Sequence, residues 1–141
     1  MWDHGGEGED TLSDAFRGIA RQLRHATAEA LAPWDVTPSQ ARALGVLRRG
    51  GDQRAGEMAE RLRIAPRSAT DVLDGLAARG WIERAPDPAD RRATIVRLTD
   101  SGQSLADSIR AARAAEAESF FAVLDEPDRV ELRRILGQLA R

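Results

Sequence analysis

Residues 64–102, IAPRSATDVLDGLAARGWIERAPDPADRRATIVRLTDSG, decide the fold. Pro66 suits a first helical turn, where its fixed φ is already right and its missing N–H is not needed. Ala69, Val72, Leu73 and Leu76 then recur at helical spacing as one inward stripe. Arg67, Ser68, Thr70, Asp71, Asp74 and Gly75 lie off that stripe, and Gly80 ends the helix. Trp81-Ile82-Glu83-Arg84 reads as a short strand. APDPADRR at 85–92, with two prolines and two aspartates, reads as a loop. Thr94, Val96 and Leu98 alternate with Ile95 and Arg97 as a second strand, and Thr99 caps another helix. A helix followed by a charged two-stranded ribbon presents two projections at a fixed angle. That shape fits a DNA groove and the backbone beside it.

Upstream, RAGEMAERLRI at 54–64 turns Met58, Ala59 and Leu62 to one side of a short helix. A tight turn joins it to the helix from Pro66, which makes a helix-turn-helix. TPSQ at 37–40 starts an earlier helix: Thr37 caps, Pro38 comes first, and Gln40 reaches back. Ala41, Leu44 and Leu47 line it, and Gly50-Gly51 stop it. The first helix is expected over 10–31, opened by Thr11 and Asp14, lined by Leu12, Phe16, Ile19 and Leu23, and ended by Pro33. Downstream, a long helix from Thr99 carries Leu105, Ile109, Ala112, Ala115, Phe120 and Val123 on one side. Asp125 caps a last helix, over 126–140, with Leu132, Ile135, Leu136 and Leu139 facing inward. These terminal helices hold more apolar surface than the middle can cover. The first is therefore expected to pack with the last two, and two copies of the chain with each other. The expected fold is mainly α with a small β-wing. A winged helix-turn-helix lobe spans 37–98, a helical dimerisation region combines 10–36 with 99–141, and 1–9 is a disordered tail.

At 141 residues the chain has room for one domain with its own core. No run of about 18 apolar residues predicts a membrane span. The acidic, glycine-rich start MWDHGGEGED is unlike a secretory signal, so the expected compartment is the cytoplasm. Cysteine is absent, and the two histidines, His4 and His25, are far apart. No metal site, disulfide or cofactor is expected from that inventory. A net charge of −2 argues against a generic polyanion binder. Residues 54–97 carry nine Arg and seven acids, whereas 1–53 and 98–141 each carry six Arg and eight acids. Only the middle third is net basic, so the placement of particular arginines must carry a DNA-binding reading.

These stretches resemble the MarR family of winged helix-turn-helix transcriptional regulators. The resemblance lies in GEMAERLRIAPRSATDVLDGLAARGWIERAPDPADRRATIVRLTDSG and LDEPDRVELRRILGQL. The family pattern is met by Leu76, Arg79-Gly80, Trp81-Ile82, Asp90 and Arg92, and Leu98-Thr99 with Gly102. The resemblance implies a homodimer on a pseudo-palindromic double-stranded DNA operator, usually a repressor released by a small-molecule effector. It also implies a salt bridge between Asp90 and Arg92 that shapes the wing, with the arginine approaching DNA.

Candidate contacts follow from residue chemistry. Arg67 can read guanine or touch phosphate, and Ser68 and Thr70 can bond phosphates or base edges near a helix N-terminus. Asp71 stands where the family often has a basic or neutral residue. Phosphate repels an acid there, although aspartate can accept from cytosine N4. Arg91 and Arg92 at the loop tip suit a narrow minor groove, and Arg84 and Arg91 suit phosphate. His25 and Trp34 are the candidates for an effector pocket, with Trp34 alternatively core, and Trp81 is expected at the wing base. No paired catalytic constellation, glycine-rich phosphate loop or nucleophile motif is present, so no enzyme is expected. The competing reading is a winged-helix protein–protein module without sequence-specific DNA binding. The small basic excess and the two acids on the helix favour that module, and steep salt dependence would exclude it.

Overall fold

The structure, a computed structural model, describes residues 10–140; the tail expected over 1–9 lies outside the described residues. In chain order come α1 (Leu12–Glu29), a 3₁₀ turn (Ala32–Trp34), α2 (Pro38–Gly50), β1 (Gln53–Arg54), α3 (Ala55–Leu62) and α4 (Pro66–Ala78). Then follow β2 (Ile82–Pro86), β3 (Thr94–Leu98), α5 (Asp100–Phe121) and α6 (Glu126–Leu139). The fold is the expected one, mainly helical with a small antiparallel sheet.

Local chemistry sets the helix starts. Thr11 with Asp14, and Thr37 with Gln40, each form a reciprocal capping box, both side chains answering a backbone N–H. Thr99 and Asp125 cap α5 and α6 by accepting from Gly102 N–H and Asp128 N–H. Pro33 does not end α1, which stops at Glu29; it sits in the first turn of the 3₁₀ segment instead. Asp35 follows with φ 51°, a left-handed conformation that aspartate tolerates better than most residues.

The sheet order is β1-β3-β2, both pairs antiparallel. Sequence patterning misses β1, because two residues are too few to alternate. Gln53 lies opposite Val96, and its buried amide donates to the Gly50 and Gly51 carbonyls. The hairpin pairs Ile82 with Leu98 and Pro86 with Thr94, so β2 runs two residues past the expected Arg84.

Leu44, Met58, Leu76 and Val96 are fully buried at the centre of the core. Leu31 and Val36 from before α2, and Leu105, Ala106 and Ile109 from α5, belong to the same cluster. One core therefore crosses the boundaries expected at 36 and 99. α1 packs along α5. α6 departs from expectation: it makes no extensive contact with α1, and Ile135, Leu136 and Leu139 are 41%, 41% and 67% exposed rather than inward. Val123, expected on the inner side of α5, lies beyond its end and is 88% exposed. The link after Phe121 carries α6 off α1, held to α5 by Arg129–Glu118 at 2.6 Å. The described residues leave these apolar side chains largely uncovered.

Candidate nucleic-acid interface

α3 ends at Arg63, whose φ of 54° reverses the chain within one residue, and Pro66 then opens α4. Ala69, Leu73 and Leu76 fix the buried face of α4, with Val72 half-buried beside them. At 100° per residue, Arg67 and Asp71 lie about 160° and 200° round the helix from Ala69, the line farthest from the core. Both are exposed. Ser68 and Thr70 flank that line and are also exposed, and the Thr70 hydroxyl donates back to the Pro66 carbonyl at 3.1 Å. Asp74, one turn on, accepts from Arg84 at 2.7 Å. This pair ties the helix to β2 and explains an acid that sequence reasoning left without a role. Arg84, expected on phosphate, is thus already bonded to a carboxylate.

The wing tip is built by two aspartates. Asp87 accepts from Ala89 N–H at 2.9 Å, and Asp90 accepts from Arg92 N–H at 3.1 Å. The second bond corrects an expectation. Among the described residues Asp90 makes no salt bridge to the Arg92 guanidinium; its carboxylate closes an Asx turn on the Arg92 backbone instead. The guanidinium is left to project. The ion pair that braces the wing is Arg54–Asp87, at 2.8 Å, between β1 and the end of the hairpin. Sequence reasoning missed both residues of that pair. Arg91 and Arg92 are exposed and have no ionic partner among the described residues.

The bond from Ala89 N–H, and then the Arg54 guanidinium, hold the Asp87 carboxyl below its ordinary value against the opposing push of burial. A depressed folded-state value makes its stabilising contribution complete above the unfolded value, about pH 4. That contribution is lost as pH falls through the folded value. Acidification through that folded value is therefore expected to lower the protection of the Ala89 amide, its intrinsic exchange rate at each pH divided by the observed one. Asp87→Ala, which has no acceptor, should show low protection at every pH; an unchanged pH step in that variant would refute the role of Asp87.

The family motif is structural at the wing base. Arg79 donates to the Trp34 and Asp35 carbonyls at 3.0 and 2.7 Å and lies 3.9 Å from the Trp81 ring centroid. Gly80 takes a φ of 75°. The Thr99 hydroxyl donates to the Gly80 carbonyl at 2.6 Å, and Thr99 N–H donates to the Trp81 carbonyl at 3.1 Å. Trp81 is half-buried against the core at the place expected.

The structure does not bring His25 and Trp34 together at a cavity. His25 is exposed and pairs with Glu29 at 3.2 Å, while Trp34 packs on the core. A cavity of about 180 Å³ opens instead between α2 and α5, lined by Arg48, Arg49, Arg110 and Arg113. Arg48 is bonded to Asp107 at 2.7 Å. Burial lowers the proton affinity of Arg113, whose Nε has no hydrogen-bond partner among the described residues. Arginines from helices about 60 positions apart leave no local signature, and sequence reasoning missed this cluster. Among the described residues no helix is long and apolar enough to cross a membrane.

Comparison with known proteins agrees with this architecture. Residues 34–93 match the model of the MarR family. The chain is similar to an HTH-type transcriptional regulator of Mycobacterium bovis, 35% identical over 122 residues, covering 86% of this chain and 82% of the relative. It is also similar to the HTH-type transcriptional repressor MdtR of Bacillus subtilis, 26% identical, covering 90% and 82%. Its fold superposes on the crystal structure of a mutant MarR from E. coli complexed with operator DNA, at a TM-score of 0.73 and 23% identity, covering 92% and 94%. The chain belongs to the MarR family of winged helix-turn-helix, DNA-binding transcriptional regulators.

Proposed function

We propose that the protein is a ligand-responsive repressor that binds a pseudo-palindromic operator as a homodimer in the cytoplasm. The observation that carries this reading is the pairing of an exposed polar row on α4 with a wing tip that projects two unpaired arginines. Arg67, Ser68, Thr70 and Asp71 enter the major groove. Arg91 and Arg92 reach the flanking minor groove and its phosphates, with Asp90 shaping the turn beneath them. Arg84 joins a phosphate while retaining Asp74. A B. subtilis relative carries the name of a repressor, and an E. coli protein of the same fold has been crystallised on operator DNA.

Dimerisation is supported by the unpartnered apolar faces of α1 and α6. Leu12 and Phe16 on α1 are 91% and 58% exposed in one chain, and Leu136 and Leu139 on α6 are 41% and 67% exposed. The dimerisation region over 10–36 and 99–141 would bury these faces and set two α4 helices about 34 Å apart, one turn of DNA. The arginine-lined cavity between α2 and α5 is a better-formed effector site than His25 and Trp34 offer. An effector there would bias the spacing of the two α4 helices.

Two measurements test the reading. Sedimentation should give a dimer. Binding to a selected operator duplex should weaken steeply between 50 and 200 mM salt, by about a thousandfold for six or more phosphate contacts. Weak, salt-insensitive binding to every duplex would favour the protein–protein module instead. Equal operator affinity and helix separation with and without effector would rule out the switch.

A further inference from the structure

We propose that Arg67 and Asp71 act as one base-reading pair, a donor beside an acceptor, and that Asp71 makes each operator half-site require a cytosine. The proposal rests on the DNA-binding reading above and names the base that the site selects. Residues four apart are neighbours along one line of a helix. Here that line lies opposite the buried stripe of Ala69, Leu73 and Leu76, so it reaches the groove floor first. Among the described residues neither side chain has a hydrogen-bond or ionic partner, and they do not bond each other. Asp74 differs, because Arg84 already holds it at 2.7 Å. Asp71 is therefore the uncompensated carboxylate of the recognition helix.

Such a group is repelled by the phosphates on both sides of the groove. What satisfies it is an exocyclic amino donor on a base edge, and the major groove offers two, cytosine N4 and adenine N6. Adenine sets its N7 acceptor beside N6, so a carboxylate that accepts from N6 meets a second acceptor and is repelled. Cytosine sets no acceptor of its own beside N4. Arg67, one turn nearer the helix start, has the fork that matches guanine O6 and N7. Thr70 cannot replace Arg67 as a donor, since its hydroxyl proton is given to the Pro66 carbonyl, and its neutral oxygen is a weaker acceptor than the Asp71 carboxylate. The pair is neutral overall. It adds discrimination between sequences, while net attraction to DNA comes from the wing.

The test is selection of bound duplexes from a random pool by the full chain, by Asp71→Asn and by Asp71→Ala. Asp71 is exposed, and circular dichroism checks that each variant folds. The wild-type pool should fix a cytosine at one symmetric position in both half-sites. Asp71→Asn should fix adenine at that position, because an amide supplies both the donor and the acceptor that adenine needs. Asp71→Ala should lose selection there and keep the rest of the motif. In direct titrations the wild type should prefer cytosine at that position by roughly tenfold to a hundredfold. An identical motif in all three pools overturns the proposal. So does a uniform gain of affinity on every duplex in both variants, which would mean that Asp71 only repels phosphate. A wild-type pool with no enriched sequence is a different result, and it overturns the DNA-binding reading itself.

Discussion

Gly102→Ala is expected to destabilise the protein by about 3 kcal/mol or more, at the upper end of overpacking substitutions. For a domain of this size that lowers the melting temperature by roughly 10 °C. A Cβ on Gly102 would stand 1.8 Å from the Trp81 carbonyl oxygen and 2.8 Å from its carbonyl carbon. Neither atom belongs to a flexible side chain. The same carbonyl accepts Thr99 N–H, and Thr99 also holds the Gly80 carbonyl. Retreat of α5 would therefore pull apart the joint between the end of α4, the start of β2 and the start of α5. Gly137→Ala on α6 is the control: nothing lies within 4 Å of its added Cβ. Helix propensity alone should stabilise that variant by about 0.5–1 kcal/mol. Thermal melts of the two variants should move in opposite directions. A Gly102→Ala protein that melts with the wild type would show that the close approach is not structural.

That joint also shows which parts of the molecule are legible in sequence. Thr37-Gln40, Thr99-Gly102 and the alternation of 94–98 are local, because each partner lies within four residues. Their chemistry can be read from spacing. The wing brace joins Arg54 to Asp87 across 33 positions, and Arg79 reaches the Trp34 carbonyl across 45. No periodicity announces such pairs. The expected Asp90–Arg92 salt bridge went wrong at the next level of detail. The spacing was informative, but the carboxylate took the nearer backbone N–H rather than the guanidinium. The apolar faces of α1 and α6 were visible in sequence as faces. What covers them was not, because no described residue of the chain supplies the complement.

Alanine at both Arg91 and Arg92 is expected to weaken operator binding by about a hundredfold while leaving the dimer and its melting temperature unchanged. Each side chain is exposed and bonded to no carboxylate among the described residues, so its removal breaks nothing in the fold. On DNA each occurs twice per dimer. A lost arginine contact costs about 1–3 kcal/mol when it reads a base edge and less when it meets phosphate alone. The double variant also equalises the charge of residues 54–97, which carry nine Arg and seven acids in the wild type. The slope of log affinity against log salt should flatten by about four, one for each of the four lost phosphate neutralisations. Arg84→Ala sets the contrast. Its guanidinium is shared with Asp74, so its loss removes one positive charge but also frees an acid beside the phosphates. Affinity should fall there as well, but with a melting temperature lowered by loss of the link from α4 to β2. If the wing double variant kept wild-type affinity and salt slope, the arginine tip would be a solvated surface loop, and DNA binding would have to rest on α4 alone. A helix with two acids and one arginine on its outer face is poorly suited to that task.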